Sequence, residues 1–116
     1  MALIYHIAFR ADWAQALADG EYRVSTRGRT LAEEGYIHAG TAEQVAPVAN
    51  AFYHDAADLV VLVIAEDRLR SPLKYEVVPG SAAPFPHIYG PLNVDAVVAT
   101  VPLEPAADGR FAFTAR

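Results

Sequence analysis

Four histidines occur in the chain, and three of them sit inside short apolar, aromatic-flanked runs: His6 in IYHIA, His38 in YIHAG and His87 in PHIYG. An imidazole can donate, accept, ligate a metal or take a proton near neutral pH. Taken alone, His6 reads as a core histidine with a backbone hydrogen bond. His38 has the same plain reading, but small Ala39 and Gly40 follow it and leave the backbone open to close approach. His87 stands in FPHIYGPL, where two prolines and a glycine set an unusual backbone. Structural need explains the prolines and not His87 or Tyr89. His54 falls at the end of a predicted helix, where a cation suits the dipole, and is read as structural.

Glu76 is the sharpest single feature. In KYEVV it shares a strand face with Val78, while Tyr75 and Val77 face the other way. A mid-strand carboxylate is rarely buried without a partner. It is either half of a salt bridge at a sheet edge or a functional carboxylate at a cleft. Three imidazoles and a carboxylate suit an acid–base site. They could also bind zinc, but no H-x-x-x-H or HExxH spacing is present, and no metal is expected. Ser25, Ser71 and Ser81 lack an elbow motif, and there is no Walker A or GxGxxG cradle. Arg23, Arg27 and Arg29 surround Gly28 as a local basic patch or a solvated loop.

The elements that must position these residues follow from pattern. LIYHIAF (3–9) is the first strand, apolar on both faces and so interior. ADWAQALADG is a helix capped by Asp12 and ended by Gly20. EYRVST is a short strand and STRGR a loop. Thr30 and Glu33 fit a capping box that opens one helical turn ending at Gly35. GYIHAG has room only for a strand. Thr41 and Gln44 make a second box, opening a helix that carries Val45, Val48, Ala49, Phe52 and Tyr53. Pro47 should separate or kink its first turn. DLVVLVIAE (58–66) is the clearest buried strand, and LKYEVV (73–78) the next. VDAVVATVPLE (94–104) is a long strand, AADG a hairpin turn and RFAFTA its partner. Two or three helices and six to eight strands that mostly do not alternate define an α+β class.

A chain of 116 residues with 53% hydrophobic content suits one domain, 1–116, with a real core. Nine basic and fourteen acidic residues leave a net charge of −5, which argues against a nucleic-acid protein relying on bulk charge but leaves nucleic acid open as a partner. There is no cysteine, so no disulfide or thiolate chemistry is available. MALIYHIAF has no basic n-region and no long h-region. The longest apolar run, LVVLVIA, is far short of the ~20 residues a membrane helix needs. No membrane partner is expected, and the expected location is cytoplasmic.

IYHIA, W-x-x-A-L-x-x-G-x-Y, EGYIHAGTAEQV-x-x-VANAFY, LKYE and FPHIYGPLN together resemble an uncharacterised bacterial family of short proteins known only as a domain of unknown function. The resemblance spans roughly residues 3 to 113, and YIHAGT and FPHIYGPL are its specific motifs. Typical members carry cysteine-serine after the strand histidine. Here Ala39 and Gly40 stand there, followed by Thr41. The family is distantly similar to the ADP-ribosyltransferase fold, including the RNA 2′-phosphotransferases. That similarity implies two small, strongly curved sheets forming a cleft that grips NAD. It also implies a first-strand His or Arg, an aromatic or hydroxyl residue on a second strand, and a late-strand Glu. Carried over, these are His6, the YIHAGT strand and Glu76.

The first expectation is thus an ADP-ribosyltransferase-like domain that binds NAD or a related nucleotide and transfers ADP-ribose or acts on a 2′-phosphate. Glu76, His6 and His38 would be catalytic. His6, Tyr36, His38, Thr41, Arg27, His87 and Tyr89 would line the ligand, with Arg27 and its neighbours meeting pyrophosphate. A second expectation is a non-enzymatic module binding a nucleotide or another small molecule. A third is a divalent-metal hydrolase built on His6, His38 and His87.

Overall fold

A computed structural model of the chain describes residues 2–114. In chain order the elements are β1 (Leu3–Phe9), α1 (Arg10–Asp19), β2 (Glu21–Tyr22), β3 (Val24–Thr26), β4 (Arg29–Thr30), α2 (Leu31–Glu34), β5 (Ile37–His38), α3 (Ala42–Phe52), β6 (Leu59–Ala65), β7 (Leu73–Glu76), β8 (Phe85–Ile88), β9 (Leu92–Asn93) and β10 (Val97–Leu103). Single 3-10 turns lie at Glu66–Arg68 and Val94–Ala96. The result is a mixed α and β fold of several small antiparallel sheets and three helices. None of the helices is long and apolar enough to cross a membrane.

The seven-residue apolar run that forms β6 is buried along its whole length because it is the middle strand of the order β1-β6-β10. Each Val, Leu or Ile hidden on both sides there stabilises the fold by roughly 1.5–3 kcal/mol. The register pairs Ile4 with Ile64, His6 with Leu62 and Ala8 with Val60 on one face. That face is closed by Ala16 of α1, Tyr22, Ile37, Ile88 and Leu92. The alternate residues, Tyr5, Ile7, Leu59, Val61 and Val63, meet Val45 and Ala49 of α3, Tyr53 at its C-cap and also Phe111. β1 is buried as its sequence demands, yet it lies at a sheet edge. Its outer side is met by Gly40, through paired main-chain bonds Tyr5 N to Gly40 O (2.8 Å) and Gly40 N to Tyr5 O (2.7 Å).

The second three-stranded sheet has the order β5-β8-β7. Ile37 and Ile88 pair across it and point into the first core, each fully buried. Strand side chains alternate, so their neighbours Tyr36, His38, His87 and Tyr89 belong to the opposite, outer face. This alternation is what positions the candidate site.

Several elements differ from the sequence-based expectation. α1 begins at Arg10, with Phe9 as N-cap, so Asp12 lies in its first turn and does not cap it. EYRVST divides at Arg23, because β2 turns to pair with β9 and β3 with β4. STRGR is then not a free loop but the tip and return of the β3–β4 hairpin, with Gly28 at φ +73°. α3 runs through Pro47 as one helix. The Glu43 carbonyl that Pro47 leaves without a helical donor belongs to an exposed residue. The long strand starts at Val97, preceded by the Val94–Ala96 turn.

Its expected hairpin partner does not form over 110–114, and Ala115 of that run lies outside the described residues. The AADG turn is made, with Gly109 at φ +84°. Asn50 of α3 then takes the returning backbone, its Nδ2 donating to Phe111 O (3.0 Å) and its Oδ1 accepting from Phe111 N (2.8 Å). Phe111 is buried against the core and Phe113 meets Tyr5 edge-on, so side-chain burial replaces a strand ladder.

Candidate functional site

The outer face of the β5-β8-β7 sheet gathers five of the residues singled out by sequence. His38 pairs with His87, and His87 with Lys74, so these three lie in one cross-strand row. The ring centroids of His38 and His87 are 5.5 Å apart, edge to face. Tyr36 lies over His87 as a stack, with centroids 4.3 Å apart and planes 28° apart. The same phenol ring touches His38 (4.8 Å) and Tyr89 (5.3 Å). His87 is therefore almost completely covered by side chains of its own sheet face, whereas His38 and Glu76 keep 38% and 39% of their side-chain surface open.

Glu76 is the hub. Its Oε1 accepts from the Tyr89 hydroxyl (2.5 Å) and from His87 Nδ1 (2.7 Å). Neither bond uses Oε2, which has no hydrogen-bond partner among the described residues. The Tyr89 hydroxyl first, and His87 second, hold the Glu76 carboxyl below the usual range. The reciprocal effect appears on the phenol: donation to that carboxylate raises Tyr89 to about 12. At neutral pH the site thus carries a fixed carboxylate and a neutral phenol. Such a carboxylate cannot serve as an acid. It can orient a hydroxyl group or stabilise positive charge. Burial lowers the His38 imidazole, keeping that ring neutral too.

Two charged residues complete the face. Lys74 Nζ sits 4.9 Å over the Tyr89 ring and flanks Glu76 on the same strand face. Glu34 accepts from Arg29 Nη1 (2.9 Å), and His38 Nε2 approaches its other oxygen at 3.4 Å. Sequence reading passed over both. The signal for Lys74 was present, since LKYE puts it two residues before Glu76 on one side of a strand. Nothing in EEGYIH announced Glu34, whose approach to His38 needs the turn at Gly35 (φ +89°).

The other predicted residues lie elsewhere. His6 belongs to the core between β1 and its covering layer, 2% exposed, with both ring nitrogens engaged. Nδ1 bonds the His38 carbonyl and Nε2 the Tyr22 hydroxyl (2.8 Å). Burial takes the ring down to about 4, so it is neutral. A carbonyl can only accept, so the proton is on Nδ1, and Tyr22 donates to Nε2. The role expected for His6 as a ligand contact gives way to that of a pin between β1, β2 and β5. Its ring edge reaches a cavity of about 40 Å³, shared with Tyr5, His38, Gly40, Gln44 and Tyr53. That space suits water-sized occupants.

Arg27 is likewise committed. Its Nη1 donates to Phe52 O (3.1 Å) and Asp55 Oδ1 (2.6 Å), closing the end of α3. Arg23 pairs with Glu21 and Arg29 with Glu34, so the basic loop is internally neutralised. Thr41 is the N-cap of α3, its amide donating to Gln44 Oε1 (2.9 Å). Among the described residues no group of three His, Cys, Asp or Glu is placed to hold a metal ion. The expected three-histidine metal centre is not assembled, because His6 spends both nitrogens inside the core. An open groove of about 440 Å³ between α1 and β2–β3 is lined by Arg23 but by none of the histidines, Glu76 or Arg27.

Fold and site together define a small α+β protein with a carboxylate–imidazole–phenol cluster on the outer face of a three-stranded antiparallel sheet. The chain belongs to the family described as "Protein of unknown function (DUF952)", whose model matches residues 7–100. It is similar to the crystal structure of protein CC0527 from Caulobacter crescentus, with 35% identity, 96% of this chain and 94% of that chain covered, and a TM-score of 0.83. The solution structure of the same protein gives 36% identity, coverage of 95% and 91%, and a TM-score of 0.78. No protein with a curated description matches the chain.

Proposed function

We propose that the Tyr36–His38–Glu76–His87–Tyr89 face is a nucleotide site of ADP-ribosyltransferase-like character, taking NAD or a related ADP-ribose compound as its ligand. The observation that carries this reading is the Glu76 carboxylate, held from one side by two donors and free on its other oxygen. A ribose hydroxyl can donate to that free oxygen. The nicotinamide–ribose bond breaks with oxocarbenium character at the neighbouring carbon, and a fixed anion there stabilises the developing positive charge. Tyr36 and His38 offer ring surfaces to a planar base, and base–aromatic stacking is worth roughly 1–3 kcal/mol. Lys74 supplies a cation for phosphate at the rim, in the place that Arg27 and its neighbours were expected to fill.

The reading is tested by thermal-shift titration with NAD and ADP-ribose on the wild type, Tyr36→Ala and Glu76→Gln. A ligand at 100 times its dissociation constant adds about 2.7 kcal/mol to stability, a rise in Tm of several degrees. The expected outcome is a rise in the wild type that Tyr36→Ala loses, with Glu76→Gln weakening it. A wild type whose Tm moves with neither ligand at millimolar concentration would remove the nucleotide reading. A rise that Glu76→Gln leaves untouched would point to a binding module without turnover.

A further inference from the structure

We propose that Glu76 and His87 form a proton-accepting dyad, with His87 Nε2 as the atom that takes the proton of an oxygen nucleophile. The inference rests on the reading of this face as a ligand site and adds a reaction to it. The geometry comes first. His87 Nδ1 lies 2.7 Å from Glu76 Oε1. A carboxylate only accepts, so Nδ1 carries a ring proton, and in the neutral ring the lone pair is on Nε2. Tyr89 donates to the same oxygen and fixes its direction (2.5 Å). Tyr36 covers the flat of the ring as a stack, with centroids 4.3 Å apart.

The second observation is what Nε2 does not do. Among the described residues it has no hydrogen-bond partner, and no buried side-chain nitrogen or oxygen is left unpartnered. Nε2 therefore reaches solvent, although only 4% of the side chain does. An imidazole buried except for one nitrogen, whose other nitrogen is anchored by a carboxylate, is arranged as a general base and not as packing. His6 shows the contrast within the same chain, since it too is buried but has both nitrogens engaged by protein groups. The charged and titratable groups facing His87 are Glu76 and Lys74 from β7, Tyr36 and His38 from the β5 side, and Tyr89 just past the end of β8.

With an ADP-ribose donor the step balances. A water or alcohol oxygen forms a bond to the anomeric carbon of the nicotinamide ribose. The carbon–nitrogen bond breaks, and its electron pair goes to the pyridine nitrogen, which leaves neutral. The proton of the attacking hydroxyl passes to His87 Nε2. Glu76 keeps its charge throughout and stabilises the imidazolium.

The test is carbethoxylation of the full chain with diethyl pyrocarbonate, mapped by mass spectrometry at each histidine, together with an assay of nicotinamide release from NAD. His54 is the exposed positive control and His6 the engaged negative control. The expected result is labelling of His87 but not His6, slowed several-fold in Glu76→Gln and blocked by NAD or ADP-ribose. Nicotinamide release should fall by about a hundredfold or more in His87→Gln. An unlabelled His87, a labelling rate indifferent to Glu76→Gln, or bound NAD that releases no nicotinamide would each overturn the dyad. Normal labelling without protection by either nucleotide would instead remove the nucleotide reading and leave the dyad standing. Circular dichroism of Glu76→Gln, a near-isosteric change, separates loss of the dyad from loss of fold.

Discussion

His6 and His87 are the same residue type in the same kind of run, and the fold gives them opposite lives. His6 faces the first core because its neighbours Tyr5 and Ile7 face α3. Its buried ring refuses a proton until about pH 4, whereas the unfolded ring accepts one below about 6.5. Between those values the unfolded state binds more protons, so stability falls as pH is lowered through the window, by about 3 kcal/mol in all. His6→Asn keeps a donor near the His38 carbonyl and removes the titration. It should be less stable at pH 7 and lose the slope between about 6.5 and 4, as read from urea midpoints against pH. The shift runs the other way at Tyr89, the phenol that donates to Glu76. The Glu76 carboxylate holds the Tyr89 phenol up to about 12. Glu76→Gln should bring one phenol back toward the ordinary value near 10, visible in the ultraviolet phenolate titration. An unchanged titration would mean that Tyr89 does not donate to Glu76 in solution.

At the scale of elements, legibility followed locality. The Thr30–Glu33 capping box was readable because all its atoms lie within four residues, and it is made in full. β6 was readable because an apolar run of seven has few places to go. The face shared by Tyr36, His38, His87 and Tyr89 was half readable. Each strand motif was visible, but only the register of β5 on β8 brings the two histidines side by side. What failed needed a distant partner. RFAFTA alternates like a strand, yet its backbone is taken by Asn50, 61 residues earlier for Phe111. Pattern carries no information about such a clamp. Asn50→Ala removes both bonds and should cost about 1–3 kcal/mol. The Phe111 amide should lose its hydrogen-exchange protection well before the β6 amides do. Equal loss across both would show that 110–114 belongs to the same cooperative unit as the central sheet.

Among the described residues the two three-stranded sheets meet through main chain at the reciprocal Tyr5–Gly40 bridge. That bridge lies two residues from His38, and Ala39 N donates to Pro86 O (3.1 Å) just before His87. The outer face thus inherits its spacing from the junction between sheets. Gly40 does not need a left-handed backbone. What it supplies is room, because a Cβ there would stand 3.3 Å from Gln44 Cβ and 3.4 Å from its Oε1. Gln44 cannot swing away without loss, since Oε1 accepts from Thr41 N (2.9 Å) and Nε2 donates to Pro84 O (3.1 Å). The first bond caps α3, and the second ties α3 to Pro84, the residue just before the strand that carries His87. Gly40→Ala should therefore destabilise the chain by about 1–3 kcal/mol. It should also move the NMR signals of His38 and His87, although neither side chain touches position 40's added methyl. A destabilisation confined to α3, with both histidine signals unmoved, would show that the sheet junction and the candidate site are mechanically independent.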